Sequence, residues 1–211
     1  NADFVCAMED VLEVYQRHYE EDEVLICMDE TSKQHIKETR IPLPTRPGEP
    51  ERCDYEYERN GVSNLFMLFA PLEGWRHVKV TDRHTKVDWA QLIKELVDEH
   101  HPKKKIILVM DNLNTHKLGS LYEAFEPAEA RRIADRLEIH YTPKHGSWLD
   151  MAEIEIGVLS RQCLDRRLPD QETLKREINA WQNTRNQKAI RVDWRFTDED
   201  ARTKLKPLYP S

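Results

Sequence analysis

The sequence predicts an α/β domain, a sheet covered by helices, and three observations carry the prediction. Lys105-Ile106-Ile107-Leu108-Val109-Met110-Asp111-Asn112 is a run of apolar β-formers that ends in an acid. Such a run, bounded by turn signals, is the pattern of a strand buried on both faces of a sheet. Val24-Leu25-Ile26-Cys27-Met28-Asp29-Glu30 repeats the construction, and around both lie stretches with apolar residues at the three-and-four spacing of amphipathic helices. Two buried strands thus each deliver an aspartate at the carboxyl edge of one sheet, where open α/β sheets bind ligands. Asp29 and Asp111 are therefore expected to share a divalent-metal site.

The chain of 211 residues is long enough to bury a sizeable core in one domain. With 39% hydrophobic and 34% charged residues, it contains no apolar run near the roughly 20 residues that span a bilayer, and no secretory signal. Cys6, Cys27, Cys53 and Cys163 are scattered without a CxxC or Cys/His cluster, which argues against structural zinc and a disulfide framework. The net charge of -7 opposes the basic footprint of a nucleic-acid binder. Positive charge is nevertheless grouped at Lys103-Lys104-Lys105, Arg131-Arg132, Arg161, Arg166-Arg167 and Lys175-Arg176, and a metal site must itself be acidic.

Taken in order, Phe4, Val5, Met8, Val11, Leu12 and Tyr15 place a helix from Asp3, its expected N-cap, to about Tyr19. The first strand runs from Val24 to Asp29. Pro42, Pro44, Pro47 and Pro50 put a surface loop between Thr31 and Pro50. From Cys53 to Thr81 antiparallel strands are expected: Tyr55 and Tyr57 alternate with charges, Asn60-Gly61 signals a hairpin turn, and Leu65 to Phe69 returns. Gly74 marks another turn before a third strand, His77 to Val80. Val87, Leu92, Ile93, Leu96 and Val97 define a helix ending near His100-His101-Pro102.

After the strand that ends at Asp111, the loop Asn112 to His116 leads to a helix from Leu118 to Phe125. Pro127 suits the first position of a second helix, running to Leu137, and Glu138 to Thr142 is the last strand. The loop Pro143-Lys144-His145-Gly146 precedes a long helix reaching about Arg166, with Ser147 and Asp150 as a capping box. Leu149, Ala152, Ile156, Leu159 and Cys163 form one apolar stripe on it, and Met151, Ile154 and Val158 another. A helix apolar on two faces is packed on both, here against the sheet and against a final helix bearing Leu174, Ile178 and Trp181. Trp194 and Phe196 lie in a tail that folds back, with a short helix after Thr197.

A lone aspartate at a strand end is commonly a turn or cap residue. Two at the ends of otherwise apolar strands are costly unless paired or bound to a cation. Hard divalent cations such as Mg2+ prefer carboxylate oxygen, and two of them about 4 Å apart clamp both oxygens of a phosphoryl displacement. A third acid is expected early in the long helix, where Glu153 and Glu155 both qualify and periodicity does not choose between them; either also reads as a solvated helix glutamate.

Cys27-Met28-Asp29-Glu30, Met110-Asp111-Asn112-Leu113-Asn114-Thr115-His116 and His145-Gly146-Ser147-Trp148-Leu149-Asp150-Met151-Ala152-Glu153 together resemble the three acidic motifs of DDE transposases of the mariner-like superfamily, in particular the bacterial insertion-sequence branch. Asn60-Gly61, Gly74 to Lys79 and Arg161 to Arg166 extend the resemblance over nearly the whole chain. It implies a ribonuclease H-like fold: a mixed sheet of three antiparallel strands and two parallel ones, flanked by helices. It implies residues 1–20 as a lead-in helix, 21–168 as the catalytic core and 169–211 as a helical extension. It also implies Asp29, Asp111 and Glu153 as catalytic residues and metal ligands, leaving Glu155 out. The interval from Asp111 to Glu153 is somewhat longer than usual in the superfamily, and Glu126 to Arg136 has room for the extra residues.

The activity implied is metal-dependent cleavage of DNA at transposon ends and transfer of the freed 3′-OH into target DNA. Two Mg2+ ions per site are implied, with Mn2+ able to substitute, and so is a homodimer acting on DNA in the bacterial cytoplasm, at the nucleoid. Asn112 and His116 are expected to position a carboxylate or contact phosphate; alternatively Asn112 shapes the turn and His116 caps the next helix. Lys144, His145 and Ser147 are candidate phosphate contacts in the loop before Glu153, and Arg161 is a candidate backbone contact that also reads as part of a solvated face. Trp148 reads as core. An aspartyl-phosphate enzyme or receiver domain fits poorly, because no second acid stands two residues after Asp29. A DNA-end-binding or dimerisation module that no longer cuts is the non-enzyme alternative, against which all three acids are present. No helix-turn-helix is visible; in relatives it lies upstream, and the chain starts at Asn1.

Overall fold

The computed structural model describes residues 2–39 and 56–210. Strands β1 (Glu23–Glu38), β2 (Tyr57–Ala70), β3 (Trp75–Thr81), β4 (Lys105–Met110) and β5 (Leu137–Tyr141) form one sheet in the order β3-β2-β1-β4-β5. β1, β2 and β3 are antiparallel neighbours, whereas β4 runs parallel to β1 and β5 parallel to β4. This is the mixed sheet of three antiparallel and two parallel strands that the sequence implied.

Alternation along the strands sorts the core onto two sides. Leu25, Cys27, Met67, Phe69, Ile107 and Val109 face α1 (Ala2–Gln16), α5 (Met151–Leu159) and α6 (Gln171–Gln187). Ile26, Met28, Phe66, Leu68, Leu108 and Met110 face α2 (Lys86–Glu95), α3 (Leu118–Ala124) and α4 (Pro127–Ala134). Covered on both faces, the central strands read as unbroken apolar runs, and each such side chain contributes roughly 1.5–3 kcal/mol of burial. A short helix α7 (Asp198–Lys204) brings Ala201 into the first of these clusters. Among the described residues no helix is long and apolar enough to cross a membrane.

Several boundaries differ from expectation. β1 does not stop at Asp29: Thr31 to Glu38 continue the strand, paired with β2 from Leu65 back to Tyr57. The expected loop therefore does not start at Thr31, and the prolines 42, 44, 47 and 50, with Cys53 and Tyr55, lie outside the described residues. Asn60-Gly61 is not a hairpin turn, because β2 runs straight through it. The register slips between Gln34 and Ile36, so Asn60 and Gly61 bulge out opposite His35, with Gly61 at φ 91°. The left-handed preference in the sequence is real, and a bulge uses it.

Asp3 lies within the first turn of α1 rather than capping it, and the helix ends at Gln16, short of Tyr19. The long helix starts later than predicted. Ser147 to Leu149 form a single 3-10 turn, and the cap of α5 is Asp150, whose Oδ1 accepts the Ala152 N–H at 2.8 Å. The second apolar stripe of α5 is packed only in part: Met151 is buried in the core, Val158 is half-buried and Ile154 is exposed. The final helix, α6, packs instead on β3 and on the π turn Ser160–Leu164 that prolongs α5.

Candidate active site

Strand register positions the two aspartates. Met28 and Met110 are the last paired residues of β1 and β4, so Asp29 and Asp111 each stand one step past the final pair, on neighbouring strands roughly 4.8 Å apart. Both share the face of Cys27 and Val109, which α5 covers. Glu153 lies in the first turn of α5, exposed, over that face. The acids sense one another: burial first, then Asp111 and Glu153, push the Asp29 carboxyl up to about 6, although the Glu30 N–H bonded to its Oδ1 at 2.8 Å opposes this.

Beneath them lies a fourth acid, Asp150, expected from the sequence as a helix cap and as a member of the third motif. Asp150 is buried, and its second oxygen, Oδ2, has no hydrogen-bond partner. Burial and the charges of Asp29, Asp111 and Glu153 raise its pKa well above the usual carboxylate range. The chain entering this position is pinned by the Tyr15 hydroxyl, which donates to the Leu149 carbonyl at 2.6 Å.

His116 is fully buried. Its Nδ1 meets Asp111 Oδ1 at 2.6 Å, its Nε2 meets Glu30 Oε2 at 3.2 Å, and its ring stacks on Trp89 with centroids 6.2 Å apart. Burial lowers the imidazole pKa, but the two carboxylates outweigh burial and hold it at about 9. Of the two expected roles, this geometry suits positioning a carboxylate rather than touching phosphate. His116 does not cap the following helix either, because the N-cap position there is Lys117. The Tyr141 hydroxyl donates to the His116 carbonyl at 2.9 Å and fixes the loop from the β5 side.

Glu153 and Glu155 separate cleanly. Glu155 is buried and held by Arg76 Nε at 2.9 Å and Arg185 Nε at 2.7 Å, so its carboxylate is committed to joining α5, β3 and α6. Asn112, Lys144 and His145 line an open cleft of about 540 Å³ beside Asp111, together with Tyr141 and Phe4. His145 adopts φ 66°, a left-handed conformation uncommon outside glycine, and Ser147 is exposed in the same segment. Arg161 is also exposed but lies farther along, in the π turn after α5. Trp148, expected in the core, is 42% exposed and stacks on Trp194, with centroids 6.4 Å apart. Among the described residues, no three His, Cys, Asp or Glu side chains already form a ligand cage.

A sheet of this order, with acids past the ends of its two central parallel strands and a third on the helix laid across them, is the architecture of the ribonuclease H-like polynucleotidyl hydrolases and transferases. The family model described as DDE superfamily endonuclease matches residues 24–175, and the chain belongs to that family. Solved structures share the fold. A Mos1 transposase paired-end complex with left transposon end superposes with a TM-score of 0.60 at 14% identity, covering 90% of this chain and 59% of that one. A Mos1 mariner paired-end complex with Mn gives 0.57 at 14% identity, covering 90% and 59%. The Mos1 strand transfer complex gives 0.56 at 12% identity, covering 90% and 61%. The chain thus spans about three-fifths of the length of these relatives. No curated protein matches it.

Proposed function

We propose that this chain is the catalytic domain of a transposase that cleaves DNA phosphodiester bonds at transposon ends and joins the freed 3′-OH to target DNA, with Asp29, Asp111 and Glu153 as its catalytic carboxylates. The observation that carries the reading is the register of β1 and β4, which puts Asp29 and Asp111 one step past the last pair on one face, under the turn of α5 that bears Glu153. In the first step water attacks phosphorus and the bond to the 3′ oxygen breaks, leaving a 3′-OH and a 5′ phosphate. In the second, the 3′-OH attacks a target phosphodiester, so one P–O bond forms as another breaks. No covalent protein intermediate is required.

The donor set fits hard divalent cations. All three groups offer carboxylate oxygen, and Asp29 has a raised pKa partly because Asp111 and Glu153 face it, a repulsion that a cation relieves. Mg2+, or Mn2+ in its place, would be held by these three residues, as two ions in this reading, and would supply Lewis acidity to the phosphoryl chemistry. His116, hydrogen-bonded to Asp111 and backed by Glu30, holds that carboxylate in one orientation. Asn112, Lys144 and His145, which line the cleft on the β5 side, and the exposed Ser147 serve in this reading as contacts to the phosphate backbone. The working assembly proposed is a homodimer on paired DNA ends.

The test is nicking of supercoiled plasmid and joining of a 3′-OH oligonucleotide, in Mg2+ or Mn2+. Wild type is expected to nick and join, while Asp29→Ala, Asp111→Ala and Glu153→Ala each fall to background with unchanged melting. Activity surviving in any of the three removes that residue from the assignment. DNA binding without nicking in wild type would identify a binding module that no longer cuts.

A further inference from the structure

Past Asp29, β1 leaves β4 behind: β4 pairs only as far as Met28, and Thr31 to Glu38 pair with β2 alone. Strand alternation keeps Thr31 and Lys33 on the face of Asp29. α5 and its π turn follow this extension, and Lys33 Nζ donates to the Leu164 carbonyl at 2.5 Å. Four residues of strand cover roughly 13 Å and eight of helix roughly 12 Å, so Asp29 to Lys33 and Glu153 to Arg161 keep pace. Between them lies a cleft of about 390 Å³ lined by Thr31, Ser32, Lys33, Ser160, Arg161 and Asp165.

This lining is unlike the carboxylate site it adjoins. On this face it offers the hydroxyls of Thr31 and Ser160 and two cations against one carboxylate, in a chain of net charge -7. Among the described residues the Lys33 ammonium is bonded to a carbonyl and makes no ion pair, so its charge is not cancelled by them. Arg161 makes no ion pair among the described residues, and it leans back along the helix. A Cβ built on Gly157 would stand 3.5 Å from Arg161 Nη1 and 3.9 Å from Nη2. Residues 153, 157 and 161 share one helix face, so the bare glycine lets the guanidinium lie on the line from the cleft toward Glu153.

The geometry points to a second phosphate site. The cleft grips a backbone phosphate of the DNA whose cleavage point sits at Asp29, Asp111 and Glu153, with Arg161 and Lys33 as the cations and Thr31 and Ser160 as hydroxyl donors. A rise of about 3.4 Å per nucleotide combined with the helical twist puts neighbouring phosphates of one strand roughly 7 Å apart, so a site roughly 12 Å from the acids corresponds to the second phosphate from the reacting one. DNA then crosses the molecule from the Asn112–His145 cleft, over the acids, to the far end of α5. This rests on the catalytic reading above but makes a separate demand.

The test uses duplexes carrying one neutral methylphosphonate at successive positions from the reactive 3′ end. Wild type is expected to lose affinity when the second phosphate is neutralised. Arg161→Gln should show that loss already with native DNA and none in addition when that phosphate is neutralised. Its slope of log affinity against log salt should be shallower by about 0.9, the share of one phosphate contact, and Arg161→Lys should restore the slope. Equal slopes and equal position profiles for wild type and Arg161→Gln, in a protein that nicks plasmid, would overturn the phosphate site and leave the catalytic reading intact. A wild type that neither binds nor nicks DNA would remove both.

Discussion

Glu153 and Glu155 sit two residues apart on one helix, and nothing in their own spacing says which serves the site. The difference appears only when Arg76 and Arg185 arrive from β3 and α6, elements far away in the chain, and take Glu155 out of circulation. Sequence periodicity cannot see this, because an ion pair buried under a helix looks like a polar interruption of an apolar stripe. The resemblance to the family motif points to Glu153, and the structure engages the Glu155 carboxylate with two arginines. Removing one partner of a buried pair strands the others in a low-dielectric interior, so Glu155→Gln should lower stability by about 3–5 kcal/mol, measured by urea unfolding. Glu153→Gln, on an exposed carboxylate, should stay within about 0.5 kcal/mol while nicking is lost. His116 makes a related point. Its place in a motif was legible, whereas its burial between Asp111 and Glu30 was not, because Glu30 lies 86 residues away. Loss of a group that orients a metal ligand typically costs about 10–100-fold, so His116→Ala should reduce nicking by that factor and weaken Mg2+-dependent thermal stabilisation in parallel.

Elements were legible where local chemistry decides them and blurred where pairing does. The apolar runs of β1 and β4, the turn at Gly74 and Pro127 at the head of α4 all follow from the chain itself. The extension of β1 past Asp29 does not, since Thr31 to Glu38 are mostly polar and become a strand only because β2 lies alongside. Asn60-Gly61 is the instructive case: the same left-handed glycine that closes a two-residue hairpin also relieves a bulge, and local sequence cannot tell the uses apart. Gly74 is more tightly specified. It has φ 70°, its N–H bonds the Ala70 carbonyl at 2.9 Å, and a Cβ there would stand 2.4 Å from the backbone of Ala189 at the end of α6. A side chain of any size meets both strain and immovable backbone, so Gly74→Ala should cost at least about 2 kcal/mol. Gly61, with nothing within 4 Å of its Cβ position, pays only the conformational penalty, and Gly61→Ala should cost less in the same thermal melt.

At the scale of the molecule, the exposed edge of the sheet is closed by side chains rather than by another strand. Asn186 of α6 accepts the Arg76 N–H and donates to the Arg76 carbonyl, and Gln182 accepts the Val78 N–H, which pairs part of the outer edge of β3. On the opposite face of β3, His77 is packed among Trp75 and His100. Burial first, then the neighbouring His100 and Lys79, push its pKa down to about 4 from 6.5, with Glu95 pulling the other way. The folded chain therefore holds His77 neutral over a range in which the unfolded chain binds a proton. Its contribution is complete above pH 6.5 and is lost as the pH falls from 6.5 to 4, because protonation there favours the unfolded state. The full shift corresponds to about 2 kcal/mol once partial exposure is allowed for. Glu138 acts in a lower window: hydrogen bonds from Lys105 and Arg17 hold its pKa at about 2 against 4.5, so its share is lost only below pH 4.5. Between pH 8 and 6.5 the raised pKa of His116 favours the folded state as pH falls; between 6.5 and 4 the His77 loss is partly offset by Asp29, which protonates in the folded state at about 6; below pH 4.5 the Glu138 loss follows. In melting temperature followed from pH 8 to 3, His77→Phe should shrink the loss between 6.5 and 4, leaving a remnant from His100 and His101, whose pKa values burial also lowers, and should leave the loss below pH 4.5 unchanged. A variant whose melting follows that of wild type between pH 6.5 and 4 would show that His77 is not the group that couples this face of the sheet to acid.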